Sequence, residues 1–232
     1  MKKQLFRISL GLFGLGVILL TGCSKDEDTT APSLTLSGDQ TITVSLPATA
    51  GGNSAFAEPG YAATDDEDGT ITSSVTVSGS VDMNRKGSYT LTYTVSDKAG
   101  NVATVNRVVN VVNDAEVFAG AYNNSVDTCV VSPPSAFSAT VTTSDTVNNL
   151  VKINNFGAFG STVNIWATIN GTTTGSSISL ATPQDLGTTA QLTTIFSSDC
   201  FVISGASPTS FKIKYTWNDG ANGDTCWSFY VR

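Results

Sequence analysis

The side chains that could carry chemistry are mostly carboxylates and thiols. Asp65, Asp66, Glu67 and Asp68 run together, and Asp97 sits in a later turn. Several oxygen donors spaced along one loop are what a hard cation such as Ca²⁺ requires. Asp66-x-Asp68-Gly69 is half of an EF-hand loop, but in that register the first position is Thr64 and the twelfth is Val75, so the bidentate glutamate is missing. The other reading of the run is an Asx-turn, with Asp side chains holding backbone N–H groups. Asp65, Asp66 and Asp68 are the candidate Ca²⁺ ligands, and Asp97 can help only if the two loops converge. No other cofactor is expected.

Paired carboxylates could also hydrolyse a glycosidic bond. The second half of the chain offers Asp114, Glu116, Asp127, Asp145, Asp185, Asp199, Asp219 and Asp224, most of them beside Ser, Thr, Gly or Asn, as turn residues are. The chain has no histidine, which removes the commonest general base, the Ser-His and Cys-His pairs and the commonest zinc ligand. A protein without catalytic residues is expected, with a carboxylate glycosidase as the enzymatic rival. Trp217 shares the phase of Phe211, Ile213 and Tyr215, and Trp227 that of Phe229 and Val231, so both read as core. Trp166 lies instead with Asn164 and Thr168, and Tyr230 lies opposite Trp227. Trp166 and Tyr230 are the candidates for stacking on a sugar, unless a loop covers them.

The elements that must position these groups begin after Cys23. Lys2, Lys3 and Arg7 precede an apolar run over residues 8–20, too short and too glycine-rich for a spanning helix, which needs about 20 residues. Leu20-Thr21-Gly22-Cys23 resembles the lipobox of bacterial lipoproteins. The resemblance implies a signal peptide over 1–22 and lipidation of Cys23, with the membrane reached through the N-terminal lipid. Cleavage there leaves nine basic residues against nineteen acidic ones, a net charge of −10 that argues against nucleic acid. Residues 23–31 form an acidic tether. Its Ser24-Lys25-Asp26-Glu27-Asp28 resembles the surface-export signal of Bacteroidota-type lipoproteins, which implies an outer-membrane, surface-displayed protein.

Period-two alternation predicts an all-β chain. Tyr89, Leu91, Tyr93 and Val95 alternate with Ser and Thr, a turn follows over 97–101, and Ala103, Val105, Val109 and Val111 continue as a second strand. The segments 62–72 and 87–101 are similar to the bacterial Ig-like domain of the pesticidal-crystal-protein type, departing from it in a longer loop over 46–58. The resemblance implies an Ig-like β-sandwich over 32–113 acting as a spacer or adhesion module.

Residues 114–232 show successive strands: Phe137–Val141, Val151 and Ile153, Val163–Ile169, Ile178 and Leu180, Phe211–Trp217 and Trp227–Val231, with Asn170-Gly171 as a hairpin signal. They predict an antiparallel β-meander, barrel or sandwich. Gly120-Ala121-Tyr122, Asp127-Thr128-Cys129, Ile153-Asn154-Asn155-Phe156 and Asp224-Thr225-Cys226 are similar to C-terminal domains of uncharacterised Bacteroidota lipoproteins.

If the meander closes, its first and last strands become neighbours and bring Cys129 beside Cys226. The alternatives are Cys129–Cys200, Cys200–Cys226 or no bridge. The functional expectation is a surface lipoprotein whose distal domain binds a polysaccharide or a surface protein, with a purely structural envelope component as the rival. The anchor has a direct test. Cys23→Ser should abolish lipidation, and the protein should leave the detergent phase on phase separation; mature variant still partitioning into detergent refutes the lipid anchor.

Overall fold

The computed structural model describes residues 27–53, 55–159, 163–171, 177–180, 184–185, 191–195, 201–202 and 210–232. Cys23 and Cys200 lie outside the described residues. The chain is all-β, with short 3₁₀ turns and no α-helix among those residues.

The first unit contains β1 (Ser33–Leu36), β2 (Thr41–Ser45), β3 (Tyr61–Asp65), β4 (Gly69–Thr70), β5 (Thr76–Ser78), β6 (Gly87–Ser96) and β7 (Val102–Val112). One sheet has the order β1-β3-β4 and the other β2-β7-β6-β5. The alternating residues of β6 and β7 bury Leu91, Tyr93, Val95, Val109 and Val111, as the period-two pattern requires. Between β1 and β2 the chain changes sheets, and β2 then runs parallel to β7. That crossing turns backbone carbonyls inward, where they need donors.

Arg107 supplies those donors from the buried phase of β7. It is 0% exposed, and its guanidinium donates to the carbonyls of Asp39 at 2.5 Å, Ser37 at 2.8 Å and Gly60 at 3.3 Å. Glu58 balances the charge at 3.1 Å, and its other oxygen accepts from the Tyr93 hydroxyl. A fixed fork of donors suits a residue that must satisfy several carbonyls at once.

The second unit contains β8 (Gly120–Cys129), β9 (Ser135–Thr143), β10 (Leu150–Asn154), β11 (Asn164–Asn170), β12 (Ser177–Leu180), β13 (Gln184–Asp185), β14 (Gln191–Ile195), β15 (Phe201–Val202), β16 (Ser210–Asn218) and β17 (Gly223–Val231). Strands β8 to β12 pair in sequence as an antiparallel meander. β16 and β17 form a long hairpin, and β17 returns to pair with β8. On the far side β12 meets β15 through Ser177↔Phe201, and β15 meets β16. The sheet therefore curls into a barrel-like form. Its interior holds Tyr122, Ile153, Phe156, Ile165, Ile213 and Tyr230, all 0% exposed.

The phase of β17 corrects one reading of the sequence. Tyr230 is fully buried, so it is not a surface stacking residue. Its ring stacks on Phe211 at 4.4 Å and 10°. Trp227 and Phe229 lie on the outer face instead, half-buried, with the Lys214 and Lys212 ammonium groups over their rings at 5.1 and 5.4 Å. Both faces of β17 carry aromatic residues, so alternation gives its period but not which face turns inward.

Asn113 joins the two units. It is 1% exposed and follows β7 directly. Its amide nitrogen reaches the carbonyls of Ser144 at 3.0 Å, Val147 at 2.9 Å and Leu150 at 3.2 Å. Its amide oxygen accepts from the N–H groups of Ala115 and Asn149. The loop over 144–149 thereby becomes the docking face of the second unit. Asn148 N–H donates to Pro47 at 2.7 Å, Lys86 N–H donates to Asp145 at 2.7 Å, and the Lys86 ammonium pairs with Glu116 at 3.2 Å.

Removing the Asn113 side chain leaves buried carbonyls and amides without partners. Asn113→Ala should cost about 2–4 kcal/mol, read by urea unfolding, and should open 144–149 to proteolysis. A loss under about 1 kcal/mol with unchanged cleavage contradicts the joint described.

Candidate functional site

The end of the barrel opposite the joint is built from the β8–β9 turn, the β16–β17 hairpin and the turn at Phe156–Ala158. β8 starts beside the joint and ends at Cys129, while β9 starts at Ser135 and ends beside the docking loop. The Cys129–Ser135 turn is therefore distal.

Cys129 and Cys226 face each other across β8 and β17 and are bonded, with Sγ–Sγ 2.05 Å and Cα–Cα 4.0 Å. The link joins the first and last strands of the second unit. Beneath it lies Asp127, 5% exposed. The Tyr215 hydroxyl donates to its Oδ2 at 2.8 Å, and the Ser228 hydroxyl donates to its Oδ1 at 2.8 Å. Burial pushes the Asp127 carboxyl up from 3.8 to about 6, against the two hydroxyl donors that lower it. Burial, and the charge of Asp127, push the Tyr215 hydroxyl far up, so it remains a donor.

Asp224 behaves in the opposite way. Burial alone would raise it, but the N–H groups of Ser132, Val131 and Thr225 hold its carboxyl below the ordinary range. It also accepts from the Val130 N–H at 3.2 Å and the Ser132 hydroxyl at 3.0 Å. Asp224 is thus an anchor for the β8–β9 turn, with its lone pairs filled by that turn.

The turn beside Asp127 is conformationally demanding. Asn155, Gly157 and Ala158 have φ of 58°, 57° and 60°. A Cβ on Gly157 would meet the Tyr215 hydroxyl at 2.5 Å, so the close approach and the left-handed backbone both require glycine there. A left-handed alanine costs about 1 kcal/mol, and strain of this kind gathers at working sites.

Trp217 stands where these pieces meet. It is half-buried, edge-on to Phe159 at 5.8 Å, and it walls an open cleft of about 390 Å³ with Val130, Val131, Asn218, Asp224 and Thr225. A smaller cavity of about 140 Å³, bordered by Asp127, Ser132 and Gly157, lies on its other side. Trp217 continues the inward phase of β16, as the sequence indicates. Its place at the strand end leaves part of the ring accessible, which alternation does not reveal. Val130 and Val131 are 68% and 81% exposed at the rim.

Trp166 stands on the outer face of β11, 45% exposed and paired in register with Lys152. It is separated along the sheet order from β16 and β17 and does not line the Trp217 cleft.

The acidic run divides. Asp66 is exposed, and Asp68 is bound by Lys98 through its ammonium and its N–H, each at 2.7 Å. The Asp65 carboxylate groups instead with residues from other segments. One carboxylate oxygen each of Asp65, Asp97 and Asp28 lie within 4.8 Å of one another. The set Asp65, Asp66, Asp68 is thus not assembled as one cluster. Asp28 had no signal in the sequence beyond its place in an acidic tether.

The raised Asp127 carboxyl has a pH consequence. The folded state holds this proton more tightly than the unfolded state, so its protonation contributes stability below pH about 4 that is lost as pH rises through about 6. The shift corresponds to about 3 kcal/mol. Asp97, Asp219 and Asp224 are lowered and act below that window. Between pH 4 and 7 the unmodified chain should lose up to about 3 kcal/mol in chemical denaturation, and Asp127→Asn should lack that decline. Parallel profiles for the two proteins contradict a buried titrating Asp127.

Comparison with known proteins bears mainly on the first unit. No curated protein of matching sequence was found. Among solved structures, a lipoprotein from Bacteroides thetaiotaomicron is 20% identical, with 86% of this chain and 99% of that chain covered and a TM-score of 0.34. A Clostridium perfringens ZmpB fragment described as CBM51-2 in complex with GlcNAc and INT domains is 18% identical over 86% of this chain and 43% of its own, with a TM-score of 0.27. A second ZmpB fragment, the M60 catalytic domain with CBM51-1 and CBM51-2, is 15% identical over 87% of this chain and 21% of its own, with a TM-score of 0.28. At these scores none of the three supports a functional argument. Residues 34–111, about a third of the chain, match the family described as bacterial surface protein, Ig-like domain. They form an Ig-like domain of that surface-protein type.

Proposed function

We propose that this is a lipid-anchored surface protein of the outer membrane. Its Ig-like domain acts as a spacer, and its C-terminal β-barrel captures a glycan in the Trp217 cleft without catalysing a reaction. The observation that carries this reading is the position of the cleft. From the tether at Asp28 the chain enters the Ig-like domain, and the β6–β7 turn at 97–101 lies at that same end. β7 then runs eleven residues, about 36 Å, to the Asn113 joint. The barrel continues from the joint, and the Trp217 cleft is at its far end. The described end of the tether at Asp28 and the Trp217 cleft thus lie on opposite sides of the Asn113 joint, which suits a chain held at its N-terminus and binding through its second unit.

The cleft has the chemistry for a sugar. Trp217 offers an aromatic face, while Asn218 and Thr225 bring an amide and a hydroxyl to the same hollow. Apolar walls with a few polar groups are the usual makeup of a small-molecule site. The carboxylates of Asp219 and Asp224 stand on the hairpin beside it, which favours a neutral glycan over an anionic one. Asp224 is filled by the β8–β9 turn, and Asp127 is buried and already bonded to two hydroxyls. These roles support binding over acid–base hydrolysis.

Quenching of tryptophan fluorescence by a library of neutral oligosaccharides tests the reading. Trp217→Ala should weaken binding at least tenfold, and Trp166→Ala should leave it within about twofold. Equal affinity in Trp217→Ala and the unmodified chain removes this cleft as the site. A chain that binds none of the library favours the structural envelope role.

A further inference from the structure

We propose that Asp28, Asp65 and Asp97 form a Ca²⁺ site that fastens the acidic tether to the base of the Ig-like domain. The three residues come from different parts of the chain: the tether, the end of β3 and the turn between β6 and β7. Their carboxylate oxygens lie within 4.8 Å of one another. Two ligands on one Ca²⁺, each about 2.4 Å from the ion, are at most about 4.8 Å apart, so the three oxygens meet the pairwise spacing that a shared ion requires, and small side-chain adjustments would draw them onto it.

Asp65 gives the independent pointer to a ligand. It is only 9% exposed. Its Oδ1 accepts from the N–H groups of Glu67 at 3.1 Å and Asp68 at 3.0 Å. Its Oδ2 is buried with no hydrogen-bond partner. A buried carboxylate oxygen with neither donor nor cation is costly, and more so with two further carboxylates beside it. Lys98, on the neighbouring turn, is held by Asp68 at 2.7 Å and its charge also acts on Asp65, so this one cation faces four carboxylates and the trio keeps an excess of negative charge.

The surrounding bonds hold the other two ligands in place. Asp97 Oδ1 accepts from the N–H groups of Gly100 at 2.7 Å and Asn101 at 2.8 Å. The Asn101 side-chain amide donates to Asp97 Oδ2 at 2.9 Å and to the Asp28 carbonyl at 3.1 Å. Asp28 Oδ1 in turn accepts from the Thr30 N–H at 2.9 Å. Asp28 is therefore already laid against the turn, with its carboxylate beside the other two. An all-oxygen donor set without His or Cys selects Ca²⁺ over zinc or copper. Water or main-chain carbonyls would complete the coordination.

The site would make the tether's attachment depend on the ion. With Ca²⁺ bound, the Ig-like domain would stand at a fixed angle a few residues from Cys23. Without it, the tether could detach from the domain base.

Calorimetric titration of the full chain, stripped with chelator and returned to CaCl₂, tests this. One Ca²⁺ per chain is expected, with a melting temperature raised by about 5–10 °C at a hundredfold excess over Kd. Asp28→Asn lies outside the strands and should keep its melting temperature in chelator while losing at least tenfold in Ca²⁺ affinity. Asp97→Asn should lose the response as well, and the Asp28 variant remains decisive if that protein folds poorly. Absence of heat and thermal shift in the unmodified chain, or unchanged affinity in Asp28→Asn, overturns the proposal.

Discussion

Asn113 is the residue on which the joint between the two β units depends. A side-chain amide has two donors and one acceptor oxygen with two lone pairs. Here they serve three carbonyls of the 144–150 segment and two N–H groups. A linker without such a residue would leave the two β units to rotate about the chain. With it, the 144–149 loop is shaped into a docking surface that Pro47, Lys86 and Asp114 then meet through direct bonds. The exposed ion pairs at the joint add little by themselves, since surface pairs are worth at most about 1 kcal/mol. The buried amide matters more, because its loss leaves desolvated backbone groups unpaired.

Each unit solves one further problem with a buried polar group. In the Ig-like domain the chain must cross between sheets, and Arg107 satisfies the carbonyls that this crossing turns inward. In the barrel the last strand must find the first, and the Cys129–Cys226 bond fixes that pairing. A cross-link enclosing a long loop limits the unfolded chain strongly, by about 4–5 kcal/mol in the chain-entropy account. Asp127, Tyr215 and Ser228 lie directly inside this link, so the barrel end is held covalently, by hydrogen bonds and by aromatic packing through Phe156 and Phe159. Closure of that end lets Trp217 stand partly free at the rim while the rings below it are fully enclosed.

The polarity of the molecule follows from these constraints. The tether, the acidic trio and the β6–β7 turn gather at one end, and the β16–β17 hairpin and the exposed Val130 and Val131 gather at the other. Lys86, Glu116 and Asp145 meet at the joint between them. Each end carries its own chemistry: oxygen donors around Asp28, Asp65 and Asp97, and an aromatic cleft beside Trp217.

Alternation in the sequence by itself determined that the chain is β-structured, where its long strands run and that Tyr93, Ile153, Ile165 and Phe211 face inward, because a strand with one clearly polar face has only one way to bury the other. The motif-bearing turns over 62–72 and 87–101 were enough to mark the Ig-like domain. Tertiary structure alone decided the remaining points. The face of β17 that turns inward is the one that stacks Tyr230 on Phe211 of the neighbouring strand β16, since Trp227 and Phe229 compete with Cys226 and Tyr230 for the interior. Arg107 occupies an inward position that charge alone would assign to solvent, and only the carbonyls of a distant crossing make it tolerable. Asp28 joins Asp65 and Asp97, and Trp217 meets Val130, through approaches between segments far apart in sequence. Period and turn chemistry are local and can be read along the chain, whereas the partner that makes a buried charge, an acidic cluster or an aromatic rim possible is fixed only when the sheets close.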